Sequence, residues 1–297
     1  MATQAQRFVY ILCIGLLTKA AFAQPRFAND PTGLYVFTDE TGAADFTALN
    51  DAELSAARRG MRLDVYRDSW KDTQIDVGFD YEYTRFEYRN VPSRNRDLHR
   101  AHFPIRLDTR SQSYRLNAYV APGIATSSNV IKDFLRRGTG ADWYLNGGLE
   151  LSNNASSFTW ILGAGYDRAF GEDQLYPVLG IAFQPNEDTR IRLAYPVTRL
   201  TYDAGEDRRI DLTVFPAGQL WHVQTDDFDD EFDYEMQAWR AQLALMQRIW
   251  KRLSLDIAAG YEFDRDHRFE DSNSIAVIGD VSDAWFFRLG VRISFTL

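Results

Sequence analysis

The sequence predicts an all-β protein: a transmembrane antiparallel up-and-down β-barrel with a cleaved N-terminal signal peptide. Three observations lead there. The chain ends in one long alternating strand, residues 284–297, AWFFRLGVRISFTL. It starts with an export leader. Between the two, period-two segments recur, separated by turn signals.

In the terminal strand, Trp285, Phe287, Leu289, Val291, Ile293, Phe295 and Leu297 share one face, and Arg288, Gly290, Arg292, Ser294 and Thr296 share the other. Successive strand side chains point to opposite sides. One face is therefore apolar and the other cationic and polar, as in a barrel strand with lipid outside and water or packed polar groups inside. An aromatic residue two places from the terminus is the pattern by which the barrel-assembly machinery would recognise such a strand.

The leader consists of Arg7, the apolar residues 8–17 (FVYILCIGLL) and the small-x-small site Ala21-Phe22-Ala23. Its apolar run is too short to span a bilayer as a helix. The expected organisation is a signal peptide over 1–23, a periplasmic tail over 24–32 and a barrel over 33–297. Cys13, the single cysteine, lies in the leader without the small residues of a lipoprotein signal before it. The mature chain therefore holds no disulfide and needs another source of stability.

No later segment reaches eighteen apolar residues, so no transmembrane helix is expected. Mean hydropathy is only −0.36, yet 14% of residues are aromatic. Both suit a barrel, which spreads its apolar residues by alternation and collects aromatics at two interfaces. Removing the leader takes away Arg7 and Lys19 and no acids, so the formal charge moves from −9 to −11. Such an acidic chain is unsuited to nucleic acid. The expected surroundings are outer-membrane lipids, with small solutes if the lumen is open.

Residues 73–88 alternate Ile75, Val77, Phe79, Tyr81 and Tyr83 against Asp76, Gly78, Asp80 and Glu82. Residues 100–108 set Phe103, Ile105 and Leu107 against His102, Arg106 and Asp108, and residues 114–122 turn Leu116, Ala118 and Val120 outward. Further strands are expected at 142–151, 158–170, 174–184, 190–196, 198–203, 208–222, 234–250, 253–264 and 284–297. Helical periodicity occurs only at 129–137, inside a long connection.

Outer-membrane barrels have short periplasmic turns and longer extracellular loops. With the C-terminal strand running into the periplasm, 250–252, 205–207 and 185–188 become periplasmic turns. Residues 265–283, 225–233 and 123–140 become extracellular loops. The alternation holds only if 190–203 is two strands turning at Pro196-Val197. That gives thirteen strands from Ala57 onward. Even parity adds residues 33–38 (GLYVFT), for about 14 strands, with 12 as the alternative.

The stretch GEDQLYPVLGIAFQPNEDTRIRLAYPVTRLTYD, residues 171–203, joins a Pro- and Gly-bearing strand to an Asn-acid turn. A short strand ending at Pro196 and an Arg-x-x-Tyr strand (Arg199, Tyr202) follow, with Gly260-Tyr261 and Phe263 before a charged loop. In these features residues 55–297 resemble an outer-membrane barrel family catalogued as a domain of unknown function. The resemblance implies fold and location and assigns no catalytic residues.

Parity directs Arg240 and Arg248, then Asp256 and Glu262, then Arg288 and Arg292 into the lumen from three neighbouring strands. Arg192, Arg199, Asp211, Asp76, Asp80 and Glu82 extend the charged wall. Such columns either select solutes in a pore or pair into a network that fills the lumen. The strand count does not choose, since eight strands are filled and sixteen leave a channel. The leading expectation is a passive or weakly selective pore for small solutes. A closed structural or surface-interaction barrel with a salt-bridged lumen comes next, and a rim hydrolase last.

The loop QTDDFDDEFDYE carries Asp226, Asp227, Asp229, Asp230, Glu231 and Asp233. Its carboxylates suit a weak divalent-cation site, although it has no DxDxDG spacing and the usual meaning of such a run is a solvated, mutually repelling loop. No cofactor is expected. His267 falls in a predicted extracellular loop among Asp264, Asp266, Glu270 and Asp271, and His222 has outward parity near the outer rim. No GxSxG motif accompanies either. His99 and His102 are three apart and so lie on opposite strand faces. Gly147-Gly148, Gly163 and Gly165 sit within strands, where they permit close packing.

Overall fold

The computed structural model describes residues 33–295 except 48, 50, 92, 132–142, 154–157, 225–230 and 271–275. The predicted signal peptide and periplasmic tail lie outside the described residues. So does most of the helix expected at 129–137, of which residues 128–131 are helical.

The chain forms seventeen strand segments: β1 (Gly33–Asp45), β2 (Glu53–Trp70), β3 (Thr73–Arg89), β4 (Arg96–His102), β5 (Ile105–Arg110), β6 (Tyr114–Ser127), β7 (Trp143–Asn153), β8 (Thr159–Asp167), β9 (Gln174–Phe183), β10 (Thr189–Tyr195), β11 (Thr198–Asp203), β12 (Arg208–Pro216), β13 (Gln219–Gln224), β14 (Glu231–Trp250), β15 (Leu253–Glu270), β16 (Ala276–Val281) and β17 (Ala284–Ser294). Consecutive strands pair antiparallel except where two segments share one stave, and β1 pairs with β17 to close the barrel.

Three pairs of segments are halves of one stave. β4 and β5 both lie between β3 and β6, β12 and β13 both pair with β14, and β16 and β17 both pair with β15. Fourteen staves result, which excludes the alternative of twelve. Proline marks two of the breaks, at Pro104 and Pro216, where the missing N–H cannot serve the ladder. The strands expected at 100–108 and 208–222 are therefore each interrupted. The short hairpin around Pro196-Val197 is present as expected.

The outer face carries the apolar belt. Along β17, Trp285, Phe287, Leu289, Val291 and Ile293 are exposed. The ten steps from Trp285 to Phe295 span about 33 Å along the strand, or about 25 Å of height at a tilt of roughly 40°, the height of a barrel's lipid-facing band. Trp70, Tyr114, Trp160, Tyr202 and Trp250 stand exposed near the short-turn end, and Trp143, Tyr166, Tyr195 and Trp285 near the other. Only closed barrels and helices satisfy their backbone in lipid, and no described helix is long and apolar enough to cross a membrane. The architecture is that of an outer-membrane β-barrel.

Leu289 lies in mid-belt, 42% exposed. Leu289→Arg is expected to cost about 2–4 kcal/mol, the penalty of a midplane cation, measured by denaturant unfolding in lipid vesicles. The inward neighbour change Arg288→Leu breaks the pair with Asp256 but puts no charge in lipid, so it should be milder for vesicle insertion; equal insertion defects would refute the assignment of faces.

The extracellular half departs from simple alternation. Residues 265–283 were expected as a loop, but β15 continues to Glu270 and pairs with β16. Within β15 Asp264 has φ of 54°. There two steps on β14, from Trp239 to Gln237, face three on β15, from Phe263 to Asp266. This bulge reverses the strand's facing. Glu262 points inward below it, and Arg265, His267 and Phe269 point inward above it, all at most 3% exposed.

β13 also leaves the wall. It stays paired with β14 but meets the far side of the barrel, where His222 bridges Thr126 of β6 in parallel register. Thr126 Oγ1 donates to the His222 carbonyl at 2.9 Å, Gln224 N donates to Ser127 Oγ at 3.3 Å, and Asn129 Nδ2 donates to the Gln224 carbonyl at 3.3 Å. The outer half of the barrel is thus pinched, and its interior is a hydrophobic core.

Candidate functional site in the barrel lumen

Inward positions of five adjacent staves meet at one level. Arg240 of β14 donates from Nη1 and Nη2 to the two oxygens of Asp39 on β1, at 2.8 and 2.9 Å. It also reaches Glu262 of β15 at 3.1 Å, and its guanidinium lies 4.1 Å from the Phe286 ring centre. Arg58 of β2 bridges the same two acids, at 3.2 Å to Glu262 and 3.5 Å to Asp39. Thr41 Oγ1 donates to Glu262 at 3.1 Å. One turn of the wall lower, Arg288 pairs with Asp256 at 3.2 Å, and Tyr35 donates to Asp256 at 3.0 Å. These groups are almost wholly buried. Charges this deep persist only when paired and hydrogen-bonded.

The rest of the wall is paired in the same manner. Asp80 meets Arg62 at 3.6 Å and His102 at 3.2 Å, and Glu82 meets Arg100 at 3.3 Å. Asp76 accepts from Arg67 and Gln74. Arg192 donates twice to Glu150, at 3.1 and 2.8 Å. Arg199 lies 3.6 Å from Asp211, and Arg292 lies over the Tyr35 ring at 5.1 Å. Arg248 is the exception among the residues expected in the lumen. It has the inward parity but sits at the strand end, beside a register shift, where it is half-exposed and pairs with Asp207 of the next turn at 3.2 Å. It belongs to the periplasmic rim.

Two of the cavities among the described residues lie between these networks. One, of about 210 Å³, is lined by Arg58, Arg62, Arg100, Arg168, Arg240 and Arg288 against Asp39, Glu82 and Asp167, with Asn146 and Gln219 among its polar walls. The other, of about 240 Å³, lies toward β6–β12 and has Tyr119, Tyr176, Val178, Pro196, Val197 and Phe215 in its lining. Asp167, Ala169, Phe215 and Pro216 line both, so the β8–β9 loop and the break between β12 and β13 partition the lumen.

Glycines admit the tyrosines of the second cavity. A Cβ on Gly165 would stand 2.5 Å from the Tyr176 ring, and one on Gly148 would stand 2.4 Å from Tyr119. Both hydroxyls reach Asp167, at 2.7 and 3.3 Å. The close-packing role expected of these glycines is met. Gly165→Val should displace Tyr176 and cost about 1–3 kcal/mol, the usual cost of overpacking, measured by chemical unfolding.

Above the charged level the lumen is shut. Phe86 stacks on Tyr234 at 5.1 Å and meets Trp221 edge-on at 5.9 Å, and Phe269 stacks on Tyr234 at 5.3 Å. His267 Nδ1 is 2.9 Å from the Tyr234 hydroxyl, which also bonds that of Tyr88 at 2.5 Å. These rings, with Leu54, Leu98 and Met236, are at most 2% exposed, Tyr88 excepted.

His267 is therefore a buried member of this closure. The expectation that it lies in an extracellular loop, available to a rim hydrolase, is corrected by the Asp264 bulge. His222 lies on β13, 3.4 Å from Asp233, with its side chain about a fifth exposed. Of the acidic loop, Asp226, Asp227, Asp229 and Asp230 lie outside the described residues, as does the side chain of Glu231. Among the described residues no cluster of three metal-ligating side chains occurs. Residues that sequence reasoning missed are Asp39, Thr41, Arg58 and Glu150 in the networks, and the aromatic closure itself. Asp39 and Thr41 follow from extending the alternation of Tyr35 and Phe37, and Phe86 from extending that of Glu82 and Thr84.

A family model described as a domain of unknown function (DUF6268) matches residues 57–297. Among solved structures, the COG4313 outer membrane channel from Pseudomonas putida F1 is similar at 9% identity. That match covers 92% of this chain and 100% of that one, with a TM-score of 0.53. The P. putida toluene transporter TodX is similar at 10% identity over 91% and 92% of the two chains, with a TM-score of 0.45. The translocator domain of autotransporter NalP from Neisseria meningitidis is similar at 12% identity over 98% and 95%, with a TM-score of 0.39. No curated protein matches the chain.

Proposed function

The chain belongs to the DUF6268 family, and we propose that it is a passive, weakly selective outer-membrane pore for small solutes that rests with its extracellular mouth shut. The observation that carries this reading is the layering of the lumen. A polar, charge-lined cavity lies at membrane depth, and a separate aromatic layer caps it. A barrel that served only as a scaffold would have no need of polar space beneath an apolar cap. The fold shared with a protein described as an outer membrane channel supports the same reading.

The cavity of about 210 Å³ has six arginines and three carboxylates in its lining. Each of the six arginines meets a carboxylate, Asp39, Asp80, Glu82, Asp173, Asp256 or Glu262, so the lining is charge-balanced and the open state should be only weakly selective. The test is permeation into liposomes containing the refolded mature barrel. Arabinose should enter slowly and raffinose should be held back. A salt gradient should set up only a small diffusion potential. A strongly selective potential of either sign would overturn the charge balance of the lining.

The closed, salt-bridged barrel is the second reading. The pinching contact between β13 and β6 favours it. It would be preferred if arabinose failed to enter both with the intact barrel and after truncation of the aromatic cap.

A further inference from the structure

The wall has a gap that a single loop fills. The β10–β11 hairpin ends at Pro196-Val197, and its pairing with β9 stops at Leu179 and with β12 at Val214. Above it, residues 174–178 of β9 have lost their second wall partner, and β13 has turned inward to β6. Residues 168–173, joining β8 to β9, occupy the opening. Gly218 N donates to the Ala169 carbonyl at 2.7 Å, and Arg168 Nη1 donates to the Leu220 carbonyl at 3.3 Å. Arg168 is itself held by Asp173, at 3.0 and 2.9 Å.

Phe170 stands in the plane of this wall. On its inner side it meets Tyr176 at 5.2 Å, a buried, inward-facing residue. On its outer side it meets Tyr195 at 6.1 Å and Trp239 at 5.9 Å. Tyr195 is 44% exposed on the lipid face. The Phe170 ring thus stands between Tyr195 on the lipid face and Tyr176, which lines the cavity of about 240 Å³ together with Ala169, Pro196 and Val197.

We infer that this cavity is a binding site for a small neutral amphiphile that arrives from the outer leaflet through the wall, past Phe170. The chemistry of the lining selects the class. Its cations are matched by carboxylates, Arg192 by Glu150 and Arg199 by Asp211, so a charged guest would have to break a buried pair. Its remaining surface mixes Val178, Val197, Pro196 and Phe215 with the hydroxyl-bearing Tyr119 and Tyr176, which suits an apolar body with one or two polar atoms. Size restricts it further: an apolar cavity of about 150 Å³ accepts benzene, so this one fits a ring with a short substituent. The site does not depend on ion conduction, because a barrel that never conducts would still load it from lipid.

The mature chain lacks cysteine if the leader is removed, and Cys13→Ser ensures it. Val178→Cys then places one thiol in the cavity, and Glu206→Cys in a periplasmic turn serves as the exposed reference. Refolded barrels in phospholipid vesicles are treated with N-phenylmaleimide, which partitions into lipid, or with a sulfonated maleimide, which stays in water. Adduct formation is followed by mass spectrometry. Relative to the reference, Val178→Cys should react about tenfold faster with the neutral reagent, since the charged one is excluded from the hydrocarbon. Adding Phe170→Ala should accelerate the neutral reaction further and leave the charged one unchanged. Equal rates for both reagents would show access through water and overturn the inference. A neutral rate indifferent to Phe170→Ala, or no reaction in either background, would also overturn it. Thr213→Cys, at a second lining position, replaces Val178→Cys if that variant lacks the heat-modifiable mobility of a folded barrel.

Discussion

Glu262→Ala should destabilise the barrel by about 3–5 kcal/mol, the cost of removing one member of a buried ion network and leaving its partners under-compensated. Glu262 is 1% exposed and receives Arg58, Arg240 and Thr41 within 3.3 Å. Without it, two guanidiniums share Asp39 as their remaining carboxylate in this network. Both border the cavity of about 210 Å³, where water would replace a charged partner with a neutral one and offset only part of the loss. Arg199→Ala is the control. Its pair with Asp211 is longer, 3.6 Å, and about a fifth exposed on both sides, so solvent screening should hold its cost to about 1 kcal/mol or less. Guanidinium titrations in lipid vesicles, followed by tryptophan emission, compare the two. Equal losses would show that the central network has no special place in the fold.

Truncating the cap should have the largest effect on permeability. Tyr234 touches Phe86, Trp221, His267 and Phe269, and Phe86 is the ring against which Tyr234 and Trp221 both pack. The double change Phe86→Ala with Tyr234→Ala removes two stacked rings between the outer mouth and the charged cavities. Each aromatic truncation in a core costs about 3–5 kcal/mol, so retention of the barrel is checked first by heat-modifiable gel mobility. In folded protein, arabinose uptake into liposomes should rise about tenfold over the intact barrel, as expected of replacing an apolar block by a wet passage. Uptake unchanged from the intact protein would mean that the pinch of β13 onto β6 closes the lumen by itself.

The barrel was legible because alternation is a strong local signal. Fourteen staves, their direction and the inward placement of Asp256, Glu262, Arg240 and Arg288 all follow from period two and loop length. What escaped lies where the period breaks. At Asp264 one inserted residue reverses the facing of all that follows, so His267 read as a loop histidine and is a core residue. At Pro216 the stave breaks, and nothing local indicates that β13 then crosses to β6, a contact between residues 96 apart. Arg248 has the correct parity and the wrong height, which alternation cannot report. The cap was unreadable for a related reason. Inward aromatics such as Phe86 and Trp221 carry the pattern of a lipid face, and only the pinched tertiary arrangement sets them against one another.

Single-channel recording in a planar bilayer, with the intact barrel and the Phe86→Ala, Tyr234→Ala barrel studied under the same salt, tests the central claim most directly. The intact protein should stay shut apart from brief openings, and the doubly truncated protein should show sustained, reproducible steps. Large steady conductance from the intact barrel would contradict a closed extracellular mouth, and silence from both folded barrels would contradict a pore.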